Sequence, residues 1–93
     1  MKINVRFYGV VYVNTGIRDW HPELNTGARV IDLFKKMVEQ YTRLSNLVYD
    51  ENGKPIEYLS ISVNNVDILG LKGFETELHE ADTVFVMPPI GGG

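Results

Sequence analysis

Six apolar residues, Val30, Leu33, Phe34, Met37, Val38 and Tyr41, recur at the i, i+3, i+4, i+7, i+8 and i+11 spacing of one helical face. Arg29, Asp32, Lys35, Lys36 and Glu39 fill the opposite face, so this helix has one stripe to bury and the rest to leave in water. It is the clearest helix in the chain, and Asn25 or Thr26 supplies its expected N-cap. A single amphipathic helix among extended segments must lie across a sheet, because neither element can dry its apolar face alone.

The extended segments follow from period-two alternation. In residues 2–8, Ile3, Val5 and Phe7 point one way and Lys2, Asn4, Arg6 and Tyr8 the other, as in a half-buried strand. Gly9 interrupts the pattern, residues 10–13 continue the extended run, and Asn14-Thr15-Gly16 offers turn chemistry before residues 17–24, so a hairpin is expected. Pro22 lacks a backbone donor and restricts the second strand to a sheet edge. Further on, Asp50-Glu51-Asn52-Gly53 reads as a turn, and Leu59, Ile61 and Val63 alternate with Ser60 and Ser62 in a third strand that Asn64-Asn65 ends. Residues 66–68 allow a short further strand, Gly70 and Gly73 mark a loop, and residues 83–87 form a last extended run halted by Pro88-Pro89. The expected fold is α+β: a β-grasp with a mixed sheet of four to five strands and one main helix across one face. Residues 1–93 are expected to form a single domain with a flexible tail at 88–93.

Composition narrows the function. A chain that is 44% hydrophobic and 23% charged folds rather than staying disordered. Its net charge of −3, with no basic run longer than Lys35-Lys36, argues against a nucleic-acid partner. With no cysteine there is no disulfide, thiolate metal site or cysteine nucleophile, and His21 and His79 lack metal-ligand spacing. No apolar run reaches the roughly 20 residues that span a bilayer, and the polar start of the chain is unlike a signal peptide, so a cytosolic location is expected. The acids Asp50, Glu51, Glu75, Glu77, Glu80 and Asp82 fall in turns and polar stretches as solvated surface groups, and no motif pairs them with a base or nucleophile. Gly70 and Gly73 match neither a dinucleotide fingerprint nor a P-loop.

The tail is different. Gly91, Gly92 and Gly93 serve no core and carry no side-chain bulk, and an extended run of three residues reaches on the order of 10 Å. Pro88-Pro89 fixes two φ angles before Ile90 and stiffens the exit from the last strand. A stiff base with a slender tip suits insertion into a narrow channel of another protein. With Val84 and Val86 inward, Phe85 and Met87 point outward. In a β-grasp the first and last strands are parallel neighbours, so Tyr8, Phe85 and Met87 are expected to form an apolar docking patch at the root of the tail.

The run Val84-Phe85-Val86-Met87-Pro88-Pro89-Ile90-Gly91-Gly92-Gly93 resembles the C-terminus of the molybdopterin synthase small subunit family (MoaD-like proteins). That family ends in an apolar strand, Pro-Pro, an aliphatic residue, a variable residue and Gly-Gly. Residues 3–8 are similar to its first strand and Val63-Asn64 to the end of its third. Leu78-His79-Glu80-Ala81-Asp82-Thr83-Val84 is similar to its Leu-x-x-Gly-Asp-x-Val stretch, with Ala81 where glycine is usual.

The resemblance implies a ubiquitin-like sulfur carrier. An E1-like adenylating enzyme would use ATP to activate the carboxylate of Gly93, which becomes a thiocarboxylate and delivers sulfur to a pterin precursor in the molybdopterin synthase large subunit. It also implies that the chain binds no cofactor of its own and that Tyr8, Phe85, Met87, Pro88, Pro89, Ile90, Gly91 and Gly92 bind the partners. The competing reading joins the same activated end to a lysine amine, as in ubiquitin-like modifiers; Pro-Pro before the glycines leans toward the molybdopterin branch. A third reading, a β-grasp interaction subunit without tail chemistry, would make the glycines incidental.

Overall fold

The computed structural model describes residues 1–44, 52 and 60–87. Of the expectations above, the turn at 50–53 apart from Asn52, Leu59 of the third strand, and the tail at 88–93 lie outside the described residues.

The chain runs β1 (Asn4–Phe7), α1 (Gly9–Thr15), β2 (Asp19–Trp20), α2 (Val30–Gln40), β3 (Ser60–Val63), β4 (Val66–Asp67) and β5 (Thr83–Met87), with single 3₁₀ turns at Thr42–Leu44, Ile68–Gly70 and Gly73–Glu75. The five strands form one mixed sheet in the order β2-β1-β5-β3-β4. β1 and β5 are parallel neighbours, Val5 opposite Val84 and Phe7 opposite Val86, while β3 pairs antiparallel with β5. This is the expected β-grasp. Alternation turns Ile3, Val5, Phe7, Ile61, Val63, Val84 and Val86 to the same side, where α2 meets them with Val30, Leu33, Phe34 and Met37.

Residues 10–13 depart from the expectation. They do not continue a strand but form α1, so β1 and β2 pair antiparallel across a seven-residue helix rather than a tight turn. Val10, Val11 and Val13 favour strands by propensity, yet the chain gains more from the turn of helix. Gly9 at φ 57° leads out of β1, Val11 is fully buried, and Gly16 at φ 77° ends the helix by donating to the Tyr12 carbonyl at 2.8 Å. The side chains read as turn chemistry instead close the helix. Asn14 Nδ2 donates to the Val10 carbonyl at 2.8 Å, and Thr15 Oγ1 to that of Tyr12 at 3.2 Å. β2 does lie at the sheet edge, and the carbonyl of Pro22 accepts from the Ile3 N–H at 3.1 Å.

The start of α2 also differs. Its N-cap is Arg29, not Asn25 or Thr26, because residues 28–30 are tied across the molecule to residues 76–78. Leu78 N–H donates to the Ala28 carbonyl and Val30 N–H to that of Thr76, both at 2.9 Å. The chain enters the helix at that anchor, and Asp32 takes the Arg29 N–H at 2.8 Å in place of a cap side chain. Asn25 instead opens a turn closed by the Ala28 N–H.

Two turns hold β5 in place. Asn64 and Asn65 have φ of 51° and 70°, the two positive angles of the tight hairpin joining β3 to β4. Ala81 has φ 66°, so alanine adopts the left-handed conformation for which glycine is usual in the family resemblance. Asp82 departs from the solvated role expected of it. Its side chain is only 12% exposed and accepts from the His79 N–H at 2.8 Å and from Asn64 Nδ2 at 2.9 Å. It clamps the hairpin to the start of β5.

Candidate functional site

The face of the sheet opposite α2 carries the candidate site. Because Val84 and Val86 point into the core, Thr83, Phe85 and Met87 face outward from the central strand β5. The register sets Phe85 between Arg6 on β1 and Ser62 on β3, and Met87 beside Ser60. Tyr8 follows β1 directly. Its N–H donates to the Val86 carbonyl at 3.0 Å, and its ring meets that of Phe85 edge-on with centroids 5.6 Å apart. The structure thus brings Tyr8 and Phe85 into contact and puts Met87 two residues on along the same face; all three are half-buried. Pro88, Pro89, Ile90, Gly91, Gly92 and Gly93 lie outside the described residues.

Polar side chains frame this apolar strip. Arg6 Nε donates to Asp19 Oδ1 at 2.8 Å and Nη2 to Oδ2 at 3.5 Å, across the β1–β2 pair. The hydrogen bond from Arg6 holds the Asp19 carboxyl below the usual carboxylate range, and the same contact raises the Arg6 guanidinium. Both groups are about half exposed, so the pair fixes orientation more than it stabilises the fold. Nδ1 of His21 lies 3.0 Å from Asn4 Oδ1, and Asn4 Nδ2 donates to the Ala81 carbonyl at 3.3 Å. Together Asn4, Arg6, Asp19, His21, Thr83 and Phe85 line a shallow depression beside the strip.

Sequence reasoning missed Arg18. Its guanidinium lies 4.1 Å from the Tyr12 ring centroid and 5.5 Å from that of Tyr8, and Nη1 donates to the Phe7 carbonyl at 3.3 Å. Recognising α1 was the missing step. Gly9 and Gly16 bracketing six residues was the available signal, and a helix there brings Tyr12 back toward Tyr8.

A face of this kind can dock a protein: an apolar strip on a rigid central strand, flanked by oriented polar groups, beside the point where β5 gives way to the tail. Among the described residues no helix is long and apolar enough to cross a membrane.

Comparison with known proteins places this geometry. Residues 5–93 match the model of the ThiS family. The chain is 27% identical over 94 residues to small archaeal modifier protein 3 of Haloferax volcanii, covering all of both chains. Its fold is similar to that of SAMP1 from Haloferax volcanii, with a TM-score of 0.88 and 16% identity over all of both chains. It is also similar to a putative molybdopterin converting factor, subunit 1, from Pyrococcus furiosus. There the TM-score is 0.78 and the identity 26%, over 97% of this chain and 99% of the other.

Proposed function

The chain belongs to the ThiS family, and from that membership we propose that it is a carrier acting through its own C-terminal carboxylate, first of all as a sulfur carrier and small subunit of molybdopterin synthase. One observation carries the reading: the strand that presents Phe85 and Met87 on the outward face is followed directly in sequence by Pro88-Pro89-Ile90-Gly91-Gly92-Gly93. Docking surface and reactive end are parts of one segment. A partner that grips the first has the second within the reach of six residues of chain.

The chemistry uses that arrangement in two steps. A carboxylate is a poor electrophile, so an adenylating partner lets an oxygen of the Gly93 carboxylate attack the α-phosphorus of ATP, expelling pyrophosphate and leaving an acyl adenylate. A sulfur donor in the sulfide oxidation state then attacks the acyl carbon and AMP leaves, giving a thiocarboxylate. In the large synthase subunit that sulfur becomes the nucleophile toward the pterin precursor. The chain supplies binding, reach and the reacting carbonyl, while ATP is held by the partner.

A second reading has its own support. The full-length likeness to small archaeal modifier protein 3 favours attack on the same adenylate by a lysine amine, with loss of AMP and a proton and formation of an isopeptide bond. Pro88-Pro89 before the glycines and the likeness to the Pyrococcus furiosus putative molybdopterin converting factor favour sulfur transfer.

Intact-mass spectrometry after incubation with an E1-like adenylating enzyme, ATP and a sulfur donor separates the readings. Sulfur transfer predicts a gain of about 16 Da as sulfur replaces one oxygen of the activated carboxylate. Isopeptide-linked species without any such gain would favour the modifier, and an unchanged mass under all conditions would refute both.

A further inference from the structure

The parallel pairing of β1 and β5 makes both strands end at the same edge of the molecule, and α1 begins there. Gly9 starts the helix one residue past Tyr8, whose N–H is bound to Val86. A protein that grips the end of β5 therefore approaches α1. That helix buries only Val11 and exposes unusual apolar surface for its length. Val10 is 43% exposed and Val13 74%, one turn apart on the same side, with Tyr12 also exposed.

Arg18 joins this shelf to the sheet face. Phe85, Tyr8, Arg18 and Tyr12 form a continuous row of contacts, edge-on between the first two rings and cation–π from Arg18 to Tyr8 and Tyr12. Unlike Arg6, which is paired with Asp19, and Arg29, which lies 3.3 Å from Glu75, Arg18 is paired with no carboxylate among the described residues. Two rings and one carbonyl fix the guanidinium, and the Asp19 carboxyl that feels its charge is hydrogen-bonded to Arg6, so the two arginines share one carboxylate. A positioned arginine with no ion pair of its own, bordered by apolar surface, is complementary to a carboxylate beside an apolar side chain.

We propose that Val10, Tyr12, Val13 and Arg18 form a second docking element, which takes a segment of the adenylating enzyme that presents an Asp or Glu next to an apolar side chain. The proposal rests on the reading that such an enzyme activates the tail. A second copy of this chain is the weaker fit, because a two-fold contact through this shelf would bring in two copies of Arg18 and no carboxylate from the shelf to meet either. The shelf extends the sheet-face contact around the end of β5, so the enzyme holds the root of the tail from two directions.

Calorimetric titration of the purified adenylating enzyme with the full chain tests this, using Val10→Gln/Val13→Gln to remove apolar surface, Arg18→Gln to remove charge, and Met87→Glu to block the sheet face. The valine positions are solvent-facing and glutamine is a good helix former, so that variant should keep the wild-type melting midpoint even if Arg18→Gln loosens Tyr8. The proposal predicts about tenfold weaker binding for the double valine variant and for Arg18→Gln, with a shallower salt dependence in the latter. Wild-type affinity for both, with Met87→Glu still weakened, would overturn the second element and leave the proposed function intact. An enzyme that neither binds nor adenylates the wild-type chain would overturn the proposed function and this inference with it.

Discussion

Ala81→Gly should stabilise the protein. Ala81 sits at φ 66°, on an exposed turn. Its backbone is nevertheless held on both sides: the N–H donates to the Lys2 carbonyl at 2.8 Å, and its own carbonyl accepts from Asn4 Nδ2. The turn therefore cannot relax without releasing β1 from the loop before β5. A non-glycine residue in the left-handed region costs about 1–2 kcal/mol, and glycine gives back about 0.5–1 kcal/mol in unfolded-chain entropy, which leaves a gain of roughly 0.5–1 kcal/mol. For a domain of this size that corresponds to a rise of roughly 2–8 °C in the melting midpoint, readable by calorimetry or circular dichroism. Ala81→Val should move the midpoint the other way, since a β-branched residue tolerates this φ less well. A lower midpoint for Ala81→Gly would refute the argument that the turn is strained.

Phe34 is 2% exposed on the buried face of α2 and meets the Phe74 ring with centroids 5.2 Å apart. Phe34→Ala should lose about 3–5 kcal/mol in denaturant unfolding, a large share of a domain's total stability, and an unchanged midpoint would remove it from the core. The Asp19 carboxyl titrates below its ordinary value in the fold, so the contribution of the Arg6–Asp19 pair is complete above the unfolded-state value near ~3.9 and is lost as pH falls through the lowered one. The melting midpoints of wild type and Asp19→Asn should therefore differ at neutral pH and converge in acid; a difference independent of pH would contradict this.

The sheet and its partner helix were legible because each carries a periodic burial pattern. Ile3, Val5 and Phe7, and again Val84 and Val86, alternate as the pleat requires, and Val30, Leu33, Phe34 and Met37 follow the helical repeat. Two boundaries were not legible, for two different reasons. Val10, Val11 and Val13 have strand propensity, but burial of Val11 and the left-handed glycines at either end select a helix. Asn25 and Thr26 are good caps by residue type, but the hydrogen bonds from residues 76–78 start α2 at Arg29, and no local pattern reports a partner that distant. At the site, the phase of β5 was enough to place Phe85 and Met87 outward, and the register with β1 brought Tyr8 to Phe85. Arg18 could not be found this way, since its stacking depends on α1 folding Tyr12 back toward Tyr8.

The central claim is that the carboxylate of Gly93 is the reacting group, and the most direct measurement is ATP–pyrophosphate exchange by the adenylating enzyme with wild-type chain and with Gly93 deleted. The deletion leaves a glycine at the end and the folded body unchanged, and withdraws the carboxylate by roughly 3.5 Å. A displacement of even about 1 Å from reactive geometry can lower a rate on the order of 100-fold, so exchange should fall close to background while the melting midpoint stays at the wild-type value. Exchange at the wild-type rate with the shortened chain would contradict the account.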